Sequence, residues 1–177
     1  MNTFGLPIIP LDEPKRLAAL ARYQVPRQSA TGAFSHIAEM AVRMFDVPIA
    51  LVNFVGDDVV LTVGAEGEVK AGTETPRGVS LCSLAVLKPE PTVFESALET
   101  PCLLANPMVT EDFGLRFYAA APITTPDGYR IGAVCLVDKQ PRTFTESEQK
   151  VLAGLAQIVM EEIETRYRIT DPATDGA

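Results

Sequence analysis

The side chains able to do chemistry in this chain are few. Its thiols are Cys82, Cys102 and Cys135, and it has one histidine, His36. Three widely spaced cysteines fit reduced thiols better than a disulfide framework or a zinc site. One imidazole gives no basis for a metal centre, and none is expected. Cys82 has the strongest chemical case, because it falls in "GVSLCSLAVL", read as a short helix opened by Ser80. A cysteine beside a helix start is a candidate for a lowered pKa. Free cysteine is also a common small buried apolar residue. That role is the expectation for Cys82, for Cys135 in an apolar strand and for Cys102 in a loop, and no catalytic residue is assigned. Arg116 has the chemistry to pair with an anionic ligand, or to anchor Glu111 or Asp112. Tyr118 can donate a hydrogen bond inside an apolar pocket. Arg77, before the short helix, is a weaker candidate of the same kind as Arg116, and His36 beside Ile37 reads as a partly buried packing residue.

These residues need a scaffold, and 177 residues with 47% hydrophobic content can bury one good core. The net charge of -8 and the lack of a basic run exclude a phosphate-binding surface for nucleic acid. No run of about 18 apolar residues and no charged-then-apolar leader occurs, so neither a membrane partner nor secretion is indicated. The expectation is a cytosolic protein.

The elements follow from periodicity and punctuation. Residues 1 to 11, with Gly5, Pro7 and Pro10, form an irregular lead-in that packs on something. Asp12 is placed to cap a short helix with Pro14 in its first turn and Leu17, Leu20 and Ala21 at helical spacing, stopping before Pro26. From Thr31 to Asp46 an apolar stripe through Phe34, Ile37, Ala38, Ala41, Val42 and Phe45 predicts a longer helix. "PIALVNFVGDDVVLTVGAEG" reads as a hairpin turning at Gly56-Asp57-Asp58. Residues 66 to 77 read as a mobile polar loop and "PTVFES" as a short strand. The connection from Ala97 to Gly114 has two prolines and no period, which suits a lid over a pocket. "RFYAAAPITTPDGYRIGAVCLVD" is a second hairpin, with glycine in the left-handed position of a Pro-Asp-Gly turn. Both its strands are apolar throughout, so both faces are covered and they belong in the middle of a sheet. Ala119, Ala120, Ala121, Gly132 and Ala133 leave room for close approach. Thr145-Glu146-Ser147-Glu148 is a reciprocal cap opening a final helix to about Tyr167, followed by a frayed tail from Thr170.

This order resembles the GAF domain. "LRFYAAAPITTPDGYRIGAVCLVDKQPRTFTESEQKVLAGLA" looks like that family's final block, and "VSLCSLAVL" is similar to its mid-domain short helix with a cysteine. The resemblance covers roughly residues 30 to 165 and is closest to GAF modules beside bacterial sensor kinases and nucleotide cyclases. It implies an α+β fold: a central antiparallel sheet of five to six strands, N- and C-terminal helices on one face, and a short helix and long loop over a pocket on the other. The expected division is an N-terminal extension and short helix over 1–29, a GAF domain over 30–168 and a flexible tail over 169–177.

The resemblance also implies a non-catalytic sensing or regulatory module in signal transduction, with an unknown small molecule and a homodimer or signalling partner protein. The residues placed around its pocket are Arg77, Cys82, Phe113, Arg116, Tyr118 and Cys135. Leu17, Leu20, Leu155 and Ile163 are placed in a dimer contact, because the apolar stripes of the first and last helices are wider than one core needs. No cofactor is required. Bilin attachment is not expected, since Ser83 and Leu84 follow Cys82 where related chromophore modules have histidine. A free methionine sulfoxide reductase-like enzyme is the alternative, against which stand Cys135 and Val137 where that branch has acidic residues, and the lack of a further upstream cysteine. A purely structural dimerisation module is the other alternative. The family's cyclic-nucleotide residues are not recognisable.

Overall fold

The computed structural model describes residues 2–25 and 32–168. The tail from Thr170 lies outside the described residues. In chain order the elements are α1 (Glu13–Arg22), α2 (Ala33–Phe45), β1 (Ile49–Val55), β2 (Val59–Glu66), β3 (Glu74–Pro76), α3 (Cys82–Ala85), β4 (Thr92–Phe94), α4 (Pro107–Thr110), β5 (Phe117–Thr124), β6 (Arg130–Asp138) and α5 (Glu146–Arg168). The strands form one six-stranded antiparallel sheet in the order β3-β2-β1-β6-β5-β4. This is the α+β architecture expected from the sequence.

Strand alternation sorts the core into two halves. Ala50, Val52 and Phe54 of β1, Phe117, Ala119 and Ala121 of β5, and Val134 and Leu136 of β6 pack with α2 and α5. Leu51, Tyr118, Ala120, Ala133, Cys135 and Val137 point the other way, toward α3, the 97–114 segment and Phe4 and Ile8 of the lead-in. The doubly apolar second hairpin therefore has a helical layer on one face and a thinner, loop-built layer on the other. Its turn places Gly128 at φ 94, where a side chain would be strained, and Gly128 N–H donates to Thr125 O at 2.9 Å. At Gly132 a Cβ would stand 2.1 Å from Asn53 O, so β6 lies against β1 only because this residue has none. The reciprocal cap opens α5: Glu148 N–H donates to Thr145 Oγ1 at 3.2 Å and Thr145 N–H to Glu148 Oε2 at 2.6 Å.

Several local expectations are corrected. The polar 66–77 segment contains β3, which pairs with β2 as the sheet edge. The aperiodic 97–114 connection folds into two 3-10 turns and α4, organised by fully buried Asn106. Its Oδ1 accepts from Met108 N–H, while its Nδ2 donates to Thr3 Oγ1 at 2.9 Å and Val79 O at 2.8 Å. Neither Asp12 nor Ser80 caps a helix through its side chain. The face that α1 buries is Glu13, Arg16 and Ala19, whereas Leu17 and Leu20 are half-buried. A charge-paired carboxylate and guanidinium can occupy an interior position that hydropathy assigns to leucine. His36 is exposed on α2 with Nδ1 3.8 Å from Glu39, because Phe34, Ile37, Ala38 and Ala41 form the buried stripe. Leu155 and Ile163 are also core residues, at 3% and 0% exposure, so these two side chains cannot supply a dimer contact. Among the described residues, the large exposed apolar side chains of α5 are Val151 and Ile158.

Candidate functional site

Between the non-helical face of the sheet and the layer above it lies a cavity of about 200 Å³. Leu51, Asn53, Tyr118, Cys135 and Val137 form its floor, Ser80, Leu81 and Cys82 one wall, and Met108, Phe113 and Leu115 its cover. Thr62, Val69, Thr73 and Thr75 complete the lining, which includes no charged side chain. Each polar group arrives for a structural reason. Asn53, Tyr118 and Cys135 occupy the same alternating face of β1, β5 and β6, while α3 delivers Cys82 from above. The stacked ring of Phe94, 6.2 Å from that of Tyr118, fixes the tyrosine from the sheet edge.

The centre of the cavity wall is a hydrogen-bonded sulfur cluster. Tyr118 Oη donates to Cys82 Sγ at 3.1 Å, and Asn53 Nδ2 reaches Cys82 Sγ at 3.2 Å and Cys135 Sγ at 3.7 Å. Both cysteines are free and buried. The hydrogen bond with Cys135 is the main influence on Cys82. Together with those from Tyr118, Asn53 and Ser80 it outweighs burial and pulls the thiol from 9.0 down to about 7. Cys135 moves upward, because it shares that hydrogen bond and is itself desolvated. Burial, with the two thiols beside it, holds Tyr118 well above its ordinary value, so its hydroxyl stays a donor. Asn53 Oδ1 is buried and has no partner among the described residues.

Four of the six residues placed around a pocket by sequence, Cys82, Phe113, Tyr118 and Cys135, line this cavity. Arg77 and Arg116 do not. Arg116 Nη1 donates to Val109 O at 3.0 Å and Leu115 O at 2.9 Å, holding the cover in place through carbonyls and not through Glu111 or Asp112. Arg77 is buried against Glu13, which also accepts from Arg16 Nε at 2.8 Å and Nη2 at 2.9 Å. Arg77 O in turn accepts from Ser83 Oγ at 2.5 Å, so this ion cluster tethers α1 to the start of α3. Sequence reasoning missed Asn53, although one amide within the otherwise apolar "IALVNFV" is the signal of a buried polar function. Among the described residues no group of His, Cys, Asp or Glu is arranged to hold a metal ion.

The model of the GAF domain matches residues 30–163, and the chain belongs to this family. A cyclic di-GMP phosphodiesterase of Pseudomonas aeruginosa is 32% identical over 163 residues, covering 90% of this chain and 27% of that protein. The chain thus spans about a quarter of the length of this curated relative. Among solved structures, a free methionine-R-sulfoxide reductase from Neisseria meningitidis superposes with a TM-score of 0.65 at 18% identity, over 89% of each chain. The GAF domain of an Acinetobacter phosphoenolpyruvate-protein phosphotransferase gives 0.64 at 12% identity, over 88% of this chain and 97% of its own. These two likenesses are of fold. Among the described residues no helix is long and apolar enough to cross a membrane.

Proposed function

We propose that the chain is a non-catalytic regulatory GAF module that senses a small neutral molecule and acts in signal transduction through a homodimer or a partner protein. The observation that carries this reading is the uncharged cavity with an unpartnered, buried Asn53 Oδ1 in its floor. A buried acceptor without a partner costs about 1–3 kcal/mol, which a ligand hydrogen-bond donor would recover. Arg116 is engaged by carbonyls and Arg77 by Glu13, and neither lines the cavity, so the lining offers no cation to an anionic ligand. The ligand is therefore small, largely apolar and equipped with one N–H or O–H donor. The relative's cyclic dinucleotide does not suit the cavity itself, which is below the roughly 300–1,000 Å³ of drug-sized sites and lacks a phosphate partner. The similarity supports a role in regulating such an enzyme, with the closing helix α5 carrying the change outward. Self-association is part of the reading, and its exposed or half-exposed apolar candidates are Leu17, Leu20, Val151 and Ile158.

Native mass spectrometry of freshly purified protein tests the ligand. The expected result is a retained small molecule that Asn53→Ala loses, and bare protein in every preparation contradicts the reading. A second reading, a methionine sulfoxide reductase-like enzyme, is favoured by two thiols in the cavity. Against it, the lining offers no carboxylate to hold a substrate ammonium. Turnover of free methionine-R-sulfoxide with a dithiol reductant, abolished by Cys82→Ser, would favour the enzyme.

A further inference from the structure

Two thiols lining one cavity and reached by a single amide are more than packing requires. Cys82 and Cys135 come from separate layers, α3 and β6, and are 53 positions apart in the chain, yet Asn53 Nδ2 reaches both sulfurs, at 3.2 Å and 3.7 Å. Tyr118 Oη adds a donor to Cys82 alone, so the negative charge of a thiolate is best accommodated on that sulfur. Cys82 borders cavity space large enough for a peroxide, and Cys135 lines the same cavity from its floor. Cys102 does not line the cavity. This is the arrangement of an attacking and a resolving thiol.

We propose that Cys82 and Cys135 form a reversible intramolecular disulfide when a hydroperoxide enters the cavity, joining α3 to β6 and removing ligand space between them. The Cys82 thiolate attacks the terminal peroxide oxygen. The S–O bond forms as the O–O bond breaks, and the leaving alkoxide or hydroxide takes up the proton that Cys82 released. The Cys135 thiol then attacks the sulfenic sulfur. The S–S bond forms, the S–O bond breaks, and hydroxide leaves with the Cys135 proton as water. Two thiols lose two electrons and two protons, and the hydroperoxide becomes an alcohol, or water, plus one further water. A dithiol reductant reverses the bond by exchange. The consequence for sensing rests on the cavity being a ligand site, while the chemistry does not.

The test treats the reduced 177-residue protein with hydrogen peroxide, denatures it in an alkylating reagent and maps the peptides by mass. The expected result is loss of two of the three alkylatable thiols, a peptide joining Cys82 to Cys135, and Cys102 still alkylatable. Cys102→Ser should form the same bond, and Cys135→Ser should stop at a Cys82 sulfenic acid that dimedone traps. Full alkylation of Cys82 and Cys135 after peroxide, in both the native chain and Cys102→Ser, overturns the proposal, as does disulfide formation only through Cys102. Native mass spectrometry of the reduced protein reads ligand occupancy separately. A crosslink with no retained molecule sustains the disulfide and removes the ligand reading. A retained molecule with no crosslink does the reverse.

Discussion

Glu13→Gln is the perturbation whose size the structure defines best. Glu13 accepts hydrogen bonds from Arg16 and Arg77 in the interior, in a helix that precedes the residues matched to the family. Burial alone would raise its pKa, but the two guanidinium groups, by hydrogen bonding and by charge, bring it from 4.5 down to about 2. The carboxylate is thus favoured in the folded state, and the difference corresponds to roughly 3 kcal/mol of stability at neutral pH. Because the folded value is the lower one, this contribution is complete above pH 4.5, shrinks as pH falls, and is gone below 2. At pH 3 less than half of it should remain by the same linkage. Glutamine keeps the shape but removes the charge, leaving two buried guanidinium groups opposed by none. Loss of one partner of a buried ion pair costs about 3–5 kcal/mol, in agreement. For a domain of this size that lowers Tm by roughly 6–20 °C. Urea unfolding of both proteins at pH 7 and pH 3 is the assay. A variant within 1 kcal/mol of the native protein at pH 7, or an equal deficit at both pH values, would refute the reasoning.

Other expectations follow from the same geometry. Alkylation of Cys82 should rise with pH around a midpoint near 7, and Tyr118→Phe, by removing one charge-assisted hydrogen bond, should raise that midpoint by about one pH unit, read by labelling kinetics. An unmoved midpoint would remove Tyr118 from the account. Gly132→Ala should destabilise by about 2–3 kcal/mol in denaturant, since its Cβ would enter the Asn53 carbonyl. Ile163→Ala should lose about 2–5 kcal/mol as a core truncation, whereas Ile158→Ser on the exposed face should change stability by less than about 0.5 kcal/mol. If α5 mediates self-association, sedimentation should show Ile158→Ser shifted toward monomer and the native chain dimeric. A native chain that is monomeric at tens of micromolar, on the order expected for modest self-association, contradicts that part of the reading.

The sheet was legible because its signals are local. Alternation is hidden in "FYAAAPIT" and "RIGAVCLV", but unbroken apolar character around a Pro-Asp-Gly turn is itself the mark of covered inner strands. The α5 cap and stripe were equally plain. The cavity wall was partly legible: Cys82 and Cys135 stood out as residue types, and Phe113 and Tyr118 lay where loop meets strand. The arginines were misplaced because a guanidinium announces charge, not its partner. Arg77 meets a glutamate 64 residues earlier, and Arg116 meets carbonyls, which carry no residue identity. For the same reason the buried pairing of Glu13 with Arg16 and Arg77 left no mark in the sequence. Leu155 and Ile163 were assigned outward because stripe width was read without knowing that both sheet and α2 pack against one helix. Asn106 organises the 97–114 segment through bonds to residues 3 and 79, and no sequence window contains all three.

The most direct test of the central claim is a crystal structure of the freshly purified protein, with attention to electron density in the cavity between Asn53, Tyr118 and Phe113. The account predicts compact density for a small molecule with a donor within about 3.2 Å of Asn53 Oδ1 and no charged protein atom on it. A cavity closed by the side chains of Met108 and Phe113, with Asn53 Oδ1 bonded to protein, would contradict it.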